Sequence, residues 1–125
     1  MSEPSFFTYL SFISDNLLSE LQRDYPELMA LVDESHEVGN KTGLLIHICD
    51  RTEWWKQEDE LLEFLTEFYL SLYFLIDPAQ GATATMFMDR NHSVVDISPQ
   101  LMAICTSLRI RIVVHLTEYD PPTSE

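Results

Sequence analysis

Residues 52–76, TEWWKQEDELLEFLTEFYLSLYFLI, decide the fold because their character changes halfway along. The first half carries six acidic side chains against a single lysine, whereas the part from residue 68 onward is almost entirely apolar. We interpret the stretch as one long helix of about 37 Å, at a rise of about 1.5 Å per residue. The sequence therefore predicts a helix whose beginning is a solvated acidic face and whose end lies in the core.

The segments around this helix predict an α+β fold. Short apolar or alternating runs predict strands at 44–49, 82–89, 92–97 and 110–117, and Ser98-Pro99 begins a further helix. The order strand, helix, strand, strand, helix, strand over residues 43–118 is the ferredoxin-like βαββαβ arrangement. It predicts a four-stranded antiparallel sheet in which the first and last strands are neighbours.

The N-terminal part is predicted to be helical. In residues 5–24, apolar side chains recur every three or four positions, which is typical of an amphipathic helix. Pro26 ends that helix or starts a second one over residues 27–34, and residues 35–43 are a predicted loop. We expect a single domain over residues 1–125, with a helical extension at 5–34 and a polar tail at 119–125. The extension would cover the second sheet face or form a homodimer interface.

The net charge is −14, from 21 acidic residues against 7 Lys and Arg. This balance argues against direct binding to nucleic acid or to an anionic membrane, and it favours either a basic partner or simple solubility. The N-terminus lacks the positive region of a signal peptide, and the longest uncharged run, 68–76, is too short to span a membrane. We therefore expect a cytoplasmic location.

Catalytic and metal-binding motifs are missing from the sequence. The chain has three glycines, no phosphate-binding loop, no nucleophile elbow and no HExxH-type histidine pair. Cys49 and Cys105 lie in apolar segments and are expected to be inert core residues. We therefore expect no enzymatic activity, no cofactor and no metal site.

The strongest candidate site is the acidic part of the long helix. Asp59, Glu63 and Glu67 are spaced by four residues and therefore share one helix face. The predicted partner-binding residues are the acids of this region with one tryptophan as an aromatic anchor: Glu58, Asp59, Glu60, Glu63, Glu67, Trp54 and Trp55. The alternative is a solvated face that serves only solubility, with both tryptophans buried.

A second candidate site involves His47 and His115, in the predicted first and last strands. His115 shares its strand face with Arg109 and Arg111. If that face is open to solvent, these four residues form a small patch for an anion or a carboxylate. The alternative is two half-buried histidines and two arginines that are paired with nearby acids.

The C-terminal residues 94–120, VVDISPQLMAICTSLRIRIVVHLTEYD, give an apolar strand, a Ser-Pro helix start and an alternating strand. This ending resembles that of a group of small bacterial domains, some of them thought to act as immunity proteins beside toxins. The resemblance implies a cytosolic protein-binding module that neutralises a basic toxin, such as a nuclease, by occlusion. The alternatives are small-ligand binding or a minor enzymatic activity at the sheet face, and a structural or dimerisation role of the N-terminal helices.

Overall fold

The computed structural model describes residues 7–50, 54–89 and 96–117, apart from the side chains of Trp54, Met88, Asp89 and Thr117. Within them, five helices pack against one face of a five-stranded sheet, which confirms the predicted α+β class. The elements in chain order are β1 (Phe7–Ser14), α1 (Leu18–Asp24), α2 (Pro26–Met29), β2 (Val32–Val38), β3 (Lys41–Asp50), α3 (Trp54–Glu67), α4 (Tyr69–Leu75), β4 (Ala82–Asp89), α5 (Pro99–Ser107) and β5 (Ile110–Thr117).

The sheet has the strand order β2-β3-β1-β4-β5, which differs from the predicted ferredoxin-like order. β1 is antiparallel to both β3 and β4, β2 is antiparallel to β3, and β4 is parallel to β5. β1 and β4 therefore separate β3 from β5, so the predicted adjacency of the first and last core strands is wrong. Residues 82–86 of β4 pair with β1 on one side and with β5 on the other. Both edges are therefore occupied, so the predicted hairpin partner at 92–97 cannot pair with them. Most of the predicted strand 92–97 lies outside the described residues.

The prediction of a helix over residues 5–24 is confirmed for Leu18–Asp24 but is wrong for Phe7–Ser14, which form β1, the central strand of the sheet. Its burial alternates along the whole strand: Leu10 and Phe12 point into the core, while Tyr9 and Ile13 point to the other face. A central strand that is apolar on both faces produces apolar positions three and four residues apart by coincidence. Helix α1 begins only at Leu18, and Glu20 accepts a hydrogen bond from the backbone N–H of Leu17 at 3.0 Å.

The region 27–43 also differs from the prediction of a helix followed by a loop. The helix α2 is a single turn, and β2 and β3 form a hairpin in which Val38 pairs with Lys41 across Gly39-Asn40. Gly39 has a φ of 64°, which suits the first central residue of a type II′ turn. Most of β2 is exposed on both faces, so its sequence lacks the alternation that would reveal a strand.

The long helix predicted over 52–76 is two helices with one irregular residue between them. Phe68, with φ −103° and ψ 20°, separates α3 from α4. The helical hydrogen bonds stop and restart at this residue: the Phe68 N–H donates to the Phe64 carbonyl at 3.0 Å, and the Phe68 carbonyl accepts from the Leu72 N–H at 2.9 Å. The burial pattern keeps its phase across the break, since Leu65 and Leu72 are both fully buried, so the exposed sides of α3 and α4 follow one another.

The core lies between the helices and one face of the sheet. Leu21 of α1 and Leu28 of α2 join the same cluster as Leu65, Leu72 and Leu101 of the later helices. The N-terminal helices therefore pack on the same side as the others, and the expectation that they cover the second sheet face is wrong. That second face, with Tyr9, His47 and His115 partly or fully exposed, remains open within the described structure.

The C-terminal elements agree with the sequence. Ser98 caps α5 through its Oγ, which accepts from the Leu101 N–H at 3.2 Å, and Pro99 occupies the first turn. Ile110, Ile112 and Val114 of β5 pack against the core, so Arg111, Val113 and His115 lie on the open face. The pairing of β5 with β4 is parallel, with Thr83 beside Arg111 and Phe87 beside His115.

Candidate functional site

The outward face of α3 and α4 carries the predicted acidic stripe. Asp59, Glu63 and Glu67 are exposed, and Trp55, four residues before Asp59, is 50% exposed. Leu61, Leu65 and Leu72 on the opposite side are fully buried, and this burial fixes the rotation of both helices. The structure therefore brings Trp55 and these three acids together on one solvent-facing stripe. The side chain of Trp54 lies outside the described part of the chain.

Glu58 does not belong to this stripe, because it is only 8% exposed. Its Oε1 accepts a hydrogen bond from the backbone N–H of Ser98, the cap residue of α5, at 3.3 Å. In a capping box, the side chain of the third helical residue accepts the hydrogen bond from the backbone N–H of the cap residue. The third residue of α5 is Leu101, whose side chain has no acceptor. Glu58 therefore caps α5 from α3 and lies apart from the exposed acids of the stripe. Glu60 is half-buried at the edge of the stripe.

The same outward face continues into α4 as an apolar patch that the sequence analysis placed in the core. Leu70 is 70% exposed, Phe74 is 71% exposed and Tyr73 is 49% exposed. Leu70 and Phe74 are four residues apart on the exposed face of α4, and the exposed Glu67 ends α3 just before them. We call the set Trp55, Asp59, Glu63, Glu67, Leu70, Tyr73 and Phe74 the α3–α4 surface. Counting three and then four residues on from Glu67 gives Leu70 and Phe74, and this helical spacing is the signal that would have found the apolar part.

The second candidate site lies on the open sheet face, but its residues are arranged differently from the prediction. His47 is on β3 and His115 is on β5, with β1 and β4 between them. Aromatic rings fill the gap: the Phe7 and Phe87 centroids are 4.6 Å apart, and Phe87 stacks on His115 at 4.8 Å. Tyr9 adjoins Phe87 at 5.8 Å and His47 adjoins Phe7 at 5.9 Å. We call these five residues the aromatic row.

A groove of about 770 Å³ lies on the open face; its lining includes Glu34 and no residue of the aromatic row, and Thr83, which lines it, is four residues along β4 from Phe87. Its lining includes small residues from neighbouring strands, among them Ser11, Gly43 and Thr83, with Leu45 and His36 further along. Ser11 pairs with Thr83 on one side and with Leu45 on the other, which places these residues in one line across the sheet. Short side chains at the centre of the sheet therefore produce the depression.

The cations of the open face differ in their pairing. The Lys41 ammonium contacts Asp15 at 3.2 Å and Asp77 at 3.4 Å, and these contacts raise the pKa of Lys41. The His47 Nε2 lies 3.1 Å from an Asp50 carboxylate oxygen. Within the described residues, by contrast, neither Arg109 nor Arg111 takes part in an ion pair. The prediction that local acids neutralise both arginines is therefore wrong for this part of the structure.

Two further observations concern chemistry and membranes. Burial raises the pKa of the Cys105 thiol to about 11, so this thiol stays protonated at neutral pH and is a poor nucleophile. Among the residues described, no group of three or more His, Cys, Asp or Glu side chains is arranged to hold a metal ion. Nor does any described helix combine the length and apolar character that a membrane crossing requires.

Comparison with protein families, with curated proteins and with solved structures gives no match. The geometry itself defines a two-layer α+β protein with two exposed surfaces of different chemistry. The α3–α4 surface is acidic with an apolar end, and the open sheet face carries the aromatic row and Arg111, which has no ion pair among the described residues.

Proposed function

We propose that this protein binds a basic protein through the α3–α4 surface and performs no chemistry on it. The observation that carries the proposal is the exposure of Leu70 and Phe74, at 70% and 71%, on the outward side of α4, which continues the exposed side of α3 with its three carboxylates. An apolar patch bordered by charged residues is typical of a protein–protein interface. A helix face that served only solubility would have no reason to expose these two large apolar side chains.

The two parts of the surface have different roles in the proposed complex. Burial of Leu70 and Phe74 in an apolar pocket would contribute roughly 1.5–3 kcal/mol for each side chain. Asp59, Glu63 and Glu67 would mainly accelerate the encounter with a positively charged surface and exclude acidic competitors. Trp55 at the other end of the stripe is a second aromatic anchor, as the sequence analysis expected.

A second copy of this chain is a poor occupant of the same surface. Each copy has a net charge of −14, and a symmetric contact through α3 would place Asp59, Glu63 and Glu67 against their own equivalents. Like charges that face one another across an interface cost several kcal/mol. Charge complementarity therefore favours a cationic partner over a homodimer at this surface.

The concrete form that we favour is an immunity protein that neutralises a toxin nuclease by occlusion. A nuclease needs a basic surface to bind the phosphates of its substrate. A bound acidic protein would occupy that surface and so compete with the substrate phosphates for the same basic side chains. The C-terminal resemblance carried by residues 94–120 supports this form.

The proposal is tested with a partner recovered from the native cell by pull-down and then purified. The Leu70→Ser variant removes the apolar anchor, and the double variant Glu63→Lys with Glu67→Lys reverses part of the charge. We expect Leu70→Ser to accelerate dissociation and the double variant to slow association by at least about tenfold at low salt. Surface plasmon resonance measures both rates. If the partner is a nuclease, an equimolar amount of the wild-type chain should also abolish its activity.

The matched control for the charge reversal is Glu27→Lys with Asp33→Lys. Both residues are exposed, lie on α2 and β2, and give the same change in net charge. This control should leave the association rate close to that of the wild type. Unchanged binding and unchanged salt dependence in the Glu63→Lys, Glu67→Lys variant would refute the acidic part of the proposal, and unchanged dissociation in Leu70→Ser would refute the apolar part.

A further inference from the structure

The two edges of the sheet differ in their side chains. The strand order places β2 at one edge and β5 at the other, and no described strand pairs with the outer side of either. β2 carries Asp33, Glu34 and Glu37, and its register with β3 shifts between Val32 and Glu34. Charged side chains and irregular pairing are the usual means by which an edge strand is kept from pairing with another chain. β2 is therefore a protected edge.

The other edge strand, β5, has little of this protection. Its sequence, IRIVVHLT, contains no proline and no acid, and its 8 residues pair with β4 without a register shift. Val113 is 37% exposed and Leu116 is 50% exposed, although both are apolar. Ile112 and Val114, on the core side of the strand, are only partly buried. A regular, apolar edge strand of this kind is a template on which a further strand can pair.

β5 also belongs to the longest stretch of the chain that has no acidic residue. Residues 97–117, which include α5 and β5, contain no aspartate or glutamate, in a chain that has 21 acidic residues. Arg109 and Arg111 give this stretch a formal charge of +2, whereas the whole chain has −14. Two copies that meet at β5 therefore avoid the repulsion that a contact through β2 or α3 would cause, and more distant charges are largely screened at physiological salt.

We propose that this protein forms a homodimer in which β5 pairs antiparallel with β5 of a second copy. A two-fold axis at Val114 places Val114 opposite Val114 and Ile112 opposite Leu116, so apolar side chains meet on the core side of the joined sheet. The two Arg111 residues then lie three positions on either side of the axis, about 20 Å apart along the strands. β5 thus matches its own sequence, and the two-fold symmetry makes every contact twice.

The proposed contact uses none of the residues of the α3–α4 surface. Each dimer therefore carries two copies of that surface, and a target with repeated binding sites would be held more tightly than by a single chain. The pairing of two short strands forms a smaller interface than those of permanent dimers, so we expect association that depends on protein concentration.

Sedimentation equilibrium of the wild-type chain between about 1 μM and 0.5 mM tests the proposal. The average mass should rise with concentration from that of the 14.5 kDa chain towards twice that value. Leu116→Lys places an ammonium group opposite the apolar Ile112 of the second copy and should weaken the dimer by at least about tenfold. Val38→Lys is the matched control, because it makes the same kind of change at the other sheet edge, where Val38 is 66% exposed. The control should dimerise like the wild type.

Hydrogen–deuterium exchange at low and high protein concentration locates the contact. The outward-pointing amides of β5 should exchange more slowly at the high concentration, whereas those of β2 and α4 should keep their rates. If circular dichroism shows that Leu116→Lys does not fold, Val113→Lys replaces it, since Val113 lies on the open sheet face and not in the core. A monomer over the whole concentration range, equal association by the β5 variant and Val38→Lys, or protection in β2 or α4 instead of β5 would each overturn the proposal.

Discussion

At the scale of single residues, a buried polar contact joins three elements that the sequence does not connect. The Thr8 hydroxyl on β1 donates to the Gln57 Oε1 on α3 at 2.6 Å, and the Gln57 Nε2 donates to the Phe87 carbonyl on β4 at 3.0 Å. Thr8 and Gln57 are both fully buried. A buried amide whose oxygen and nitrogen both have partners fixes how far α3 lies along the sheet, and thereby positions the α3–α4 surface.

Removing one half of this contact should destabilise the fold. Thr8→Val keeps the shape of the side chain but deprives the Gln57 oxygen of its Thr8 donor in a site closed to water. We expect the free energy of unfolding to fall by about 1–3 kcal/mol. Thr83→Val, on the open face, should change it by less than about 0.5 kcal/mol. Urea unfolding followed by circular dichroism measures both, and a loss no larger for Thr8→Val than for Thr83→Val would contradict this role of the contact.

At the scale of elements, the sequence predicts those whose faces differ in polarity and fails where they do not. β3, β4, α5 and β5 were placed correctly, because each has one apolar face or a recognisable cap. β1 was missed because it is apolar on both faces, and β2 because it is exposed on both. The turn residues Gly39-Asn40 were a usable signal for the β2–β3 hairpin. The strand order depends on long-range pairing of β1, which local patterns do not encode.

The exposure of α4 gives a prediction that compares two leucines within one helix. Leu70 is 70% exposed and Leu72 is fully buried. Leu72→Ala should lower the free energy of unfolding by about 2–5 kcal/mol through the cavity that it leaves. Leu70→Ala should change it by less than about 0.5 kcal/mol, since the side chain contacts mainly water. Thermal and urea unfolding test the pair, and similar losses in both variants would place Leu70 in the core, as the sequence alone suggested.

At the scale of the whole molecule, some site residues can be predicted from local sequence spacing, whereas others depend on which elements pack together. The stripe of Asp59, Glu63 and Glu67 follows from helical spacing alone and was predictable. The burial of Glu58 was not, because it depends on the packing of α5 against α3. The aromatic row was also out of reach, since Phe7 was assigned to a helix and the adjacency of β1 and β4 was unknown. The grouping of these rings on one sheet face is therefore a property of the topology.

The large net negative charge and the acidic stripe of α3 leave the fold under electrostatic repulsion that salt should relieve. With a net charge of −14 and three carboxylates at intervals of four residues, the fold repels itself at low ionic strength. The melting temperature should rise by a few °C between about 20 mM and 0.5 M NaCl, as the screening length shortens. The variants Glu63→Lys with Glu67→Lys and Glu27→Lys with Asp33→Lys both bring the net charge to −10. The first should lose more of the salt response, because it also removes the repulsion within the stripe. Equal responses would show that only the total charge matters, and a melting temperature that falls with salt would show that ion pairs outweigh the repulsion.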